Sequence, residues 1–229
     1  MRFDVITLFP ELFDFYFQHS IISRAQKQKK LKITVKNLRD FALDKHRTVD
    51  DKPFGGGRGM VLKIEPLYRA LQKFKSQNLK VKIARQKSKV ILFTPRGKKF
   101  TQKTATRWSK LDQLILICGR YEGIDEIINK LIDEKVSLGD FVLMGGELAG
   151  LAAIEAVARL LPGVVGNSES LIEQRITKTG GFVEYPQYTR PEVFAGKNGK
   201  KWRVPKVLLT GHHQKIEAWR TKHSQVIGK

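Results

Sequence analysis

Cys118 is the only cysteine in this 229-residue chain. No internal disulfide framework is therefore possible, and the composition fits a reducing compartment. Acidic residues are also scarce, with 22 Asp and Glu against 43 Lys and Arg, which leaves a net charge of +21. A surplus of that size repels itself in the compact state and points to a polyanionic partner, nucleic acid first. The bland alternative is a generic basic surface. No apolar run approaches the roughly 18 residues that a bilayer-spanning helix needs. The opening MRFDVITLFPELF lacks the basic start and small-residue cleavage site of a signal peptide, so the cytoplasm is the expected location and no membrane is expected as partner. Hydrophobic residues make up 41%. That is enough for a globular core, in one large domain or one with a small satellite.

What is present alternates strand and helix signals. Arg2–Leu8 alternates as a strand, and Pro10 is placed to open a helix over Glu11–Phe17. LKITVK at 31–36 is a second strand. From Asp40 to Met60 the apolar pattern stops, and HRTVDDKPFGGGRGM there reads as a long loop of the functional kind. Helical spacing returns over Glu65–Phe74. Three strands that look buried follow, at Val90–Thr94, Leu114–Cys118 and Lys135–Leu138, with helices expected over Thr101–Ser109 and Ile124–Ile132. Strands apolar on both faces and alternating with helices imply a mostly parallel sheet with helices on both faces. A helix over Glu147–Leu161 stops at Pro162-Gly163, and its alanines at 149, 152, 153 and 156 permit a close neighbour. Residues 164–183 are weakly periodic and linker-like. The tail is basic and Pro-rich, with a helix across His212–Arg220. The expected division is an α/β domain over 1–163, a linker over 164–183 and a small, mainly helical C-terminal domain over 184–229.

Three glycine- or proline-bearing loops each follow a strand: Thr94–Gly97, Gly119–Asp125 and Leu138–Glu147. In open α/β sheets, ligands sit beyond the carboxyl ends of the strands. Glycine there lets main-chain groups approach a ligand without a Cβ in the way. Together these loops suit a flat heteroaromatic such as adenine. For any one loop a plain tight turn is an equal explanation. GGGRGM at 55–60 does not fit G-x-G-x-x-G and there is no G-x-x-x-x-G-K-[ST], so ordinary dinucleotide and NTP sites find no support. His212-His213 lacks metal-ligand spacing, and no metal site is expected.

At these residues the sequence resembles the bacterial tRNA (guanine-N1)-methyltransferases of the knotted SPOUT superfamily. The resemblance is carried by FDVITLFPELF, HRTVDDKPFGGG, GMVLKIEPL, LFTPRGKKF, ICGRYEGIDE, SLGDFVLMGGELA, EAVARLLPGVVGN, EYPQYTRPEVF and VPKVLLTGHH, in this order and over nearly the whole chain. It implies a trefoil knot in the α/β domain, an exception to the rule that chains avoid knots. It also implies S-adenosylmethionine bound at Leu92, Phe93, Thr94, Pro95, Gly119, Tyr121, Glu122, Gly123, Leu138, Gly139, Phe141, Leu143, Gly145 and Gly146. The implied substrate is the guanosine immediately 3′ of the tRNA anticodon, position 37. The implied assembly is a homodimer whose subunits share each active site, and Mg²⁺ is implied as an optional assisting ion.

Guanine N1 carries a proton at neutral pH, so its methylation needs a general base and a cationic or hydrogen-bonding group near O6. By resemblance the latter is Arg159, whose residue-level alternative is capping a helix C-terminus. The family's base is a linker aspartate, and that position here is Gln174, which cannot act as a base. Glu173 is the nearest carboxylate and Glu169 the second, so Arg159 and Glu173 are the expected catalytic pair. Arg58 stands where the family pattern has a small residue or proline. It either adds a phosphate contact or alters loop docking. Arg24, Lys27, Lys29, Lys30, Lys98, Lys99, Lys103, Lys197, Lys200, Lys201 and Arg203 are candidates for holding tRNA phosphates, each also explicable as a solvated charge. Trp202 either stacks on a base or packs in the small domain. Two rival functions stay open: a SPOUT methyltransferase for another RNA site, and a catalytically impaired RNA-binding homologue.

Overall fold

The computed structural model describes residues 1–79, 87–165, 177 and 182–227. The chain divides into two compact units, Met1–Ser170 and Leu171–Lys229.

The first unit is a three-layer α/β structure. Its elements are β1 (Arg2–Thr7), α1 (Glu11–Phe17), α2 (Ser20–Lys27), β2 (Lys32–Asn37), β3 (Asp50–Asp51), β4 (Val61–Leu62), α3 (Ile64–Leu79), β5 (Ser88–Lys99), α4 (Gln102–Trp108), β6 (Gln113–Cys118), β7 (Glu134–Ser137) and α5 (Glu147–Ala158). Five strands make one parallel sheet in the order β2-β1-β6-β5-β7. Strand β6 is buried along its whole length, as an apolar run in a covered parallel sheet should be. The period of two then sorts its side chains. Leu114, Leu116 and Cys118 join Ile91 and Phe93 of β5 in a core with α1, α2, α4 and α5. Ile115 and Ile117 join Val90 and Leu92 in a second core with α3 on the opposite face. Helix α5 comes close because its inner residues are small: Ala149, Gly150 and Ala153 are buried, whereas Ala152 is exposed. A Cβ on Gly150 would already lie 3.1 Å from the Cys118 Sγ.

Several expectations need correction. Thr94–Gly97 falls inside β5 rather than in a separate loop. Phe93 and Lys98 both face Val136, so the four residues between them leave the ladder while the strand continues beyond. Gly97 makes this possible, because a Cβ there would sit 2.4 Å from the Val136 main chain. The helix expected over Ile124–Ile132 is only a 3-10 turn, Glu126–Lys130, capped by the Asp125 carboxylate accepting from the Ile127 amide. Helix α2 was not anticipated, and α3 runs further than Phe74.

In the second unit, β8 (Phe182–Glu184) pairs with β11 (Gln225–Ile227) and β9 (Val193–Ala195) with β10 (Lys201–Arg203), both antiparallel. Two helices follow β10, α6 (Lys206–Leu209) and α7 (His213–His223). The ribbons add to the helical content expected there. No residue over 183–227 is buried. The unit's contacts include aromatic pairs, Trp219 on His223 at 4.3 Å and Phe194 on Trp202 at 5.7 Å. Most of the expected linker lies outside the described residues. No helix among the described residues is long and apolar enough to cross a membrane.

Candidate functional site

The carboxyl ends of β5, β6 and β7 open onto a cleft of about 320 Å³. Leu92, Phe93, Thr94 and Pro95 line it from β5, and Gly119, Tyr121, Glu122 and Gly123 from the loop after β6. Leu138, Phe141, Leu143, Gly145 and Gly146 line it from the loop after β7. Gly139, expected with them, is not part of the lining. A Cβ there would meet the Phe141 ring at 2.6 Å, so this glycine lets the ring fold back over its own loop. The structure adds Arg96, Arg120, Ile124, Glu126, Lys135, Val136, Ser137, Val142 and Met144, along with Ile128 from the 3-10 turn and Ala149 from α5. Most are interleaved in the same loops. Their charges and apolar side chains carried no separate signal.

Main-chain bonds hold the loops in place. The Gly146 amide donates to the Gly119 carbonyl at 2.9 Å, and a Cβ on Gly146 would lie 2.8 Å from the Cys118 Cα. Tyr121 at φ +60° and Gly123 at φ +128° turn the middle loop through left-handed conformations. The Glu122 amide donates to the Met60 carbonyl at 3.1 Å, and the Leu62 amide to Gly123 at 3.0 Å. The glycine-rich segment before Met60 is thereby docked on the cleft rim. Arg58 lies exposed in that segment.

Several of the cleft's charges are partnered. Arg96 and Lys135 both reach the Glu126 carboxylate. Hydrogen bonds from Asn129 and Arg96 hold the Glu126 carboxyl down at about 2. Arg120 Nε lies 2.9 Å from Glu147 Oε2, an ion pair too poorly angled to be a hydrogen bond. The other oxygen of Glu147 accepts from the Thr7 hydroxyl at 2.8 Å. Burial, aided by the Glu147 charge, pushes the Cys118 thiol well above its usual range. The thiol beside the cleft therefore stays protonated at neutral pH and does not serve as a nucleophile. Among the described residues no group of three His, Cys, Asp or Glu side chains could hold a metal ion.

Of the expected catalytic pair, Arg159 is not brought to this cleft within one chain. Arg159 is the exposed C-cap of α5, thirteen residues beyond Gly146 and about 20 Å along the helix. Glu173, Glu169 and Gln174 lie outside the described residues. The candidate phosphate contacts Arg24, Lys27, Lys29 and Lys30 are exposed on and just after α2. Lys98 and Lys99 end β5, and Lys103 is on α4, all exposed. Lys99 is ion-paired with Asp140. Lys197, Lys200, Lys201 and Arg203 are exposed around the β9–β10 ribbon. Trp202 is 51% exposed while stacked on Phe194, so it serves the ribbon's packing and still offers a ring to solvent.

The family model described as tRNA (Guanine-1)-methyltransferase TrmD matches residues 1–227. A tRNA (guanine-N(1)-)-methyltransferase of Clostridium novyi is 49% identical over 229 residues, covering 100% of this chain and 88% of the relative. Its counterpart in Desulfitobacterium hafniense is 50% identical over 224 residues, 98% of this chain and 80% of the relative. The crystal structure of tRNA (m1G37) methyltransferase from Aquifex aeolicus superposes with a TM-score of 0.76 at 38% identity, covering 97% of this chain and 88% of that one. The mostly parallel sheet is thus a SPOUT arrangement, and the chain belongs to the tRNA (guanine-1)-methyltransferase family.

Proposed function

We propose that the chain methylates N1 of the guanosine immediately 3′ of the anticodon, position 37, in tRNA, with S-adenosylmethionine as methyl donor. One observation carries the reading: a glycine-edged cleft at the carboxyl edge of a parallel sheet, in a chain matched by this family over residues 1–227. The cleft suits the cofactor. Its walls are main chain at Gly119, Gly123, Gly145 and Gly146, where a flat purine can approach amides and carbonyls, and Leu92, Leu138 and Phe141 supply apolar surface. When bound, S-adenosylmethionine supplies an activated methyl group on its sulfonium.

The chain's own residues then supply what guanine requires. Glu173 takes the N1 proton, with Glu169 the alternative, because Gln174 cannot. The Arg159 guanidinium stabilises the charge that builds on O6. Since Arg159 lies about 20 Å along α5 from the cleft edge of its own chain, it serves the cleft of a second copy, in a homodimer. Two observations support that assembly. No residue over 183–227 of the second unit is buried, and α1 leaves Leu12, Phe15 and Tyr16 exposed on the first. In domain terms, 1–163 binds the cofactor, 164–183 links, and 184–229 binds tRNA. The basic residues of α2, β5, α4 and the β9–β10 ribbon hold phosphates, consistent with the net charge of +21. Mg²⁺ is an optional assisting ion, and the enzyme works in the cytoplasm.

The test is incubation of the chain with S-adenosylmethionine and an unmodified tRNA transcript, followed by nucleoside analysis. Formation of N1-methylguanosine supports the reading. A chain that binds both ligands and forms none would instead be the catalytically impaired homologue to which Gln174 points. Methylation of a different base would favour the SPOUT enzyme for another RNA site.

A further inference from the structure

The Glu147 carboxylate is 1% exposed, yet it opens helix α5 at the edge of a ligand cleft. Taking a carboxylate out of water is costly unless its partners are well placed. It has two, drawn from two other elements. Thr7, at the end of β1, donates its hydroxyl to Oε1 at 2.8 Å, and Arg120, in the loop after β6, sets Nε 2.9 Å from Oε2. The Thr7 hydroxyl also accepts the Phe9 amide at 3.0 Å, which fixes the turn that carries Phe9. The ring of Phe9 then lies 4.7 Å from the Arg120 guanidinium carbon, at cation–π distance. Gly145 leaves room for the pair, since a Cβ there would fall 2.3 Å from Arg120 Nε and 2.5 Å from Glu147 Oε2.

The guanidinium is thus held on one side by a carboxylate and on another by a ring. Arg120 lines the cleft, its side chain is 23% exposed, and no described residue bonds its two terminal nitrogens. Glu147 cannot touch a ligand itself, because its carboxylate lies beneath this layer. We infer that Glu147 is a positioning residue that fixes Arg120 at the cleft wall, with both terminal nitrogens available to an anionic oxygen of a bound ligand. That oxygen belongs either to the carboxylate of S-adenosylmethionine or to the RNA. This inference rests on the proposed function.

A double-mutant cycle tests it with full-length wild type, Glu147→Gln, Arg120→Ala and the double variant. Kd for S-adenosylmethionine, Kd for the transcript, and kcat and KM for methyl transfer are measured for each, with thermal unfolding as the check on fold. Glu147→Gln keeps a partner for Thr7 but releases the guanidinium. A loss on the order of 10- to 100-fold is expected in one of these quantities, the scale for a displaced site group. In the Arg120→Ala background the same change should cost nothing further, because residues that act through one another are non-additive. A loss confined to the cofactor Kd assigns the oxygen to its carboxylate. A loss in kcat or in transcript binding assigns it to RNA. Equal losses in both backgrounds, or no loss from Arg120→Ala alone, would overturn the inference. If Glu147→Gln does not fold, Phe9→Leu takes its place in the cycle with the same requirement. A wild-type chain that binds both ligands but transfers no methyl contradicts the functional reading, while the two Kd cycles still decide this one.

Discussion

Gly146 and Gly119 are joined by an amide-to-carbonyl bond of 2.9 Å, which ties the start of α5 to the loop after β6. Two edges of the cleft are therefore one rigid piece of main chain, and the absence of a side chain at Gly146 is what allows the approach. Gly146→Ala would place a methyl 2.8 Å from the Cys118 Cα, against backbone that cannot yield cheaply. We expect a stability loss of about 1–3 kcal/mol by chemical denaturation. We also expect the Kd for S-adenosylmethionine to rise by on the order of tenfold or more, because the methyl displaces main chain that faces the cleft. Unchanged affinity by calorimetry would show that this edge does not touch the cofactor.

The Glu126 cluster gives a pH dependence whose sign follows from linkage. Its carboxyl sits at about 2 in the fold against an ordinary 4.5, so the native state binds fewer protons in that interval. The contribution is complete above about 4.5 and is lost as pH falls through about 2. Glu126 and Arg96 are both largely exposed, so the effect is small and screened by salt. Melting temperatures of wild type and Glu126→Gln should converge as pH falls through that window. A gap that stays constant would contradict the assignment.

Arg159→Ala should lower kcat on the order of 10²- to 10³-fold with little change in cofactor Kd, the scale for losing one group that stabilises developing charge. Glu173→Gln should lower kcat, with Glu169→Gln nearly silent. Rapid-quench single-turnover assays separate chemistry from product release. A fully active Glu173→Gln would transfer the role of base to Glu169.

Transcript affinity should fall steeply with salt, with a log–log slope of about −0.7 to −0.9 per neutralised phosphate. Lys200→Ala and Lys201→Ala should each make the slope shallower by about one if they meet phosphate. Filter binding across a salt series measures this. An unaltered slope would return both lysines to the solvated surface.

Much of the fold was legible because its signals are local. LILIC at 114–118 is apolar on both faces and became the fully buried central strand, and Pro10 marked where α1 opens over Glu11–Phe17. The cleft was legible in part, since the glycine loops after β6 and β7 do line it, at Gly119, Gly123, Gly145 and Gly146. What stayed hidden depends on distant partners or short segments. Thr94–Gly97 looked like a turn because Pro95 and Gly97 break local pattern, but its path is set by the Val136 main chain. Helix α2 is eight residues long and only two residues separate it from α1, with no proline or glycine to mark the break. The ribbons of the second unit are three residues per strand, below the length at which alternation can be seen. Nothing local in the sequence marks Arg120 and Glu147 as partners. Their meeting, and the Thr7 hydroxyl that joins them from 140 positions away, exist only in three dimensions.

The central claim is N1 methylation of one guanosine. It is tested most directly by transfer of labelled methyl from S-adenosylmethionine to two transcripts that differ only in the base 3′ of the anticodon, guanosine in one and adenosine in the other. Label in the guanosine transcript alone, recovered as N1-methylguanosine, is the expected result. Equal labelling of both, or none in either while both ligands bind, would contradict the account.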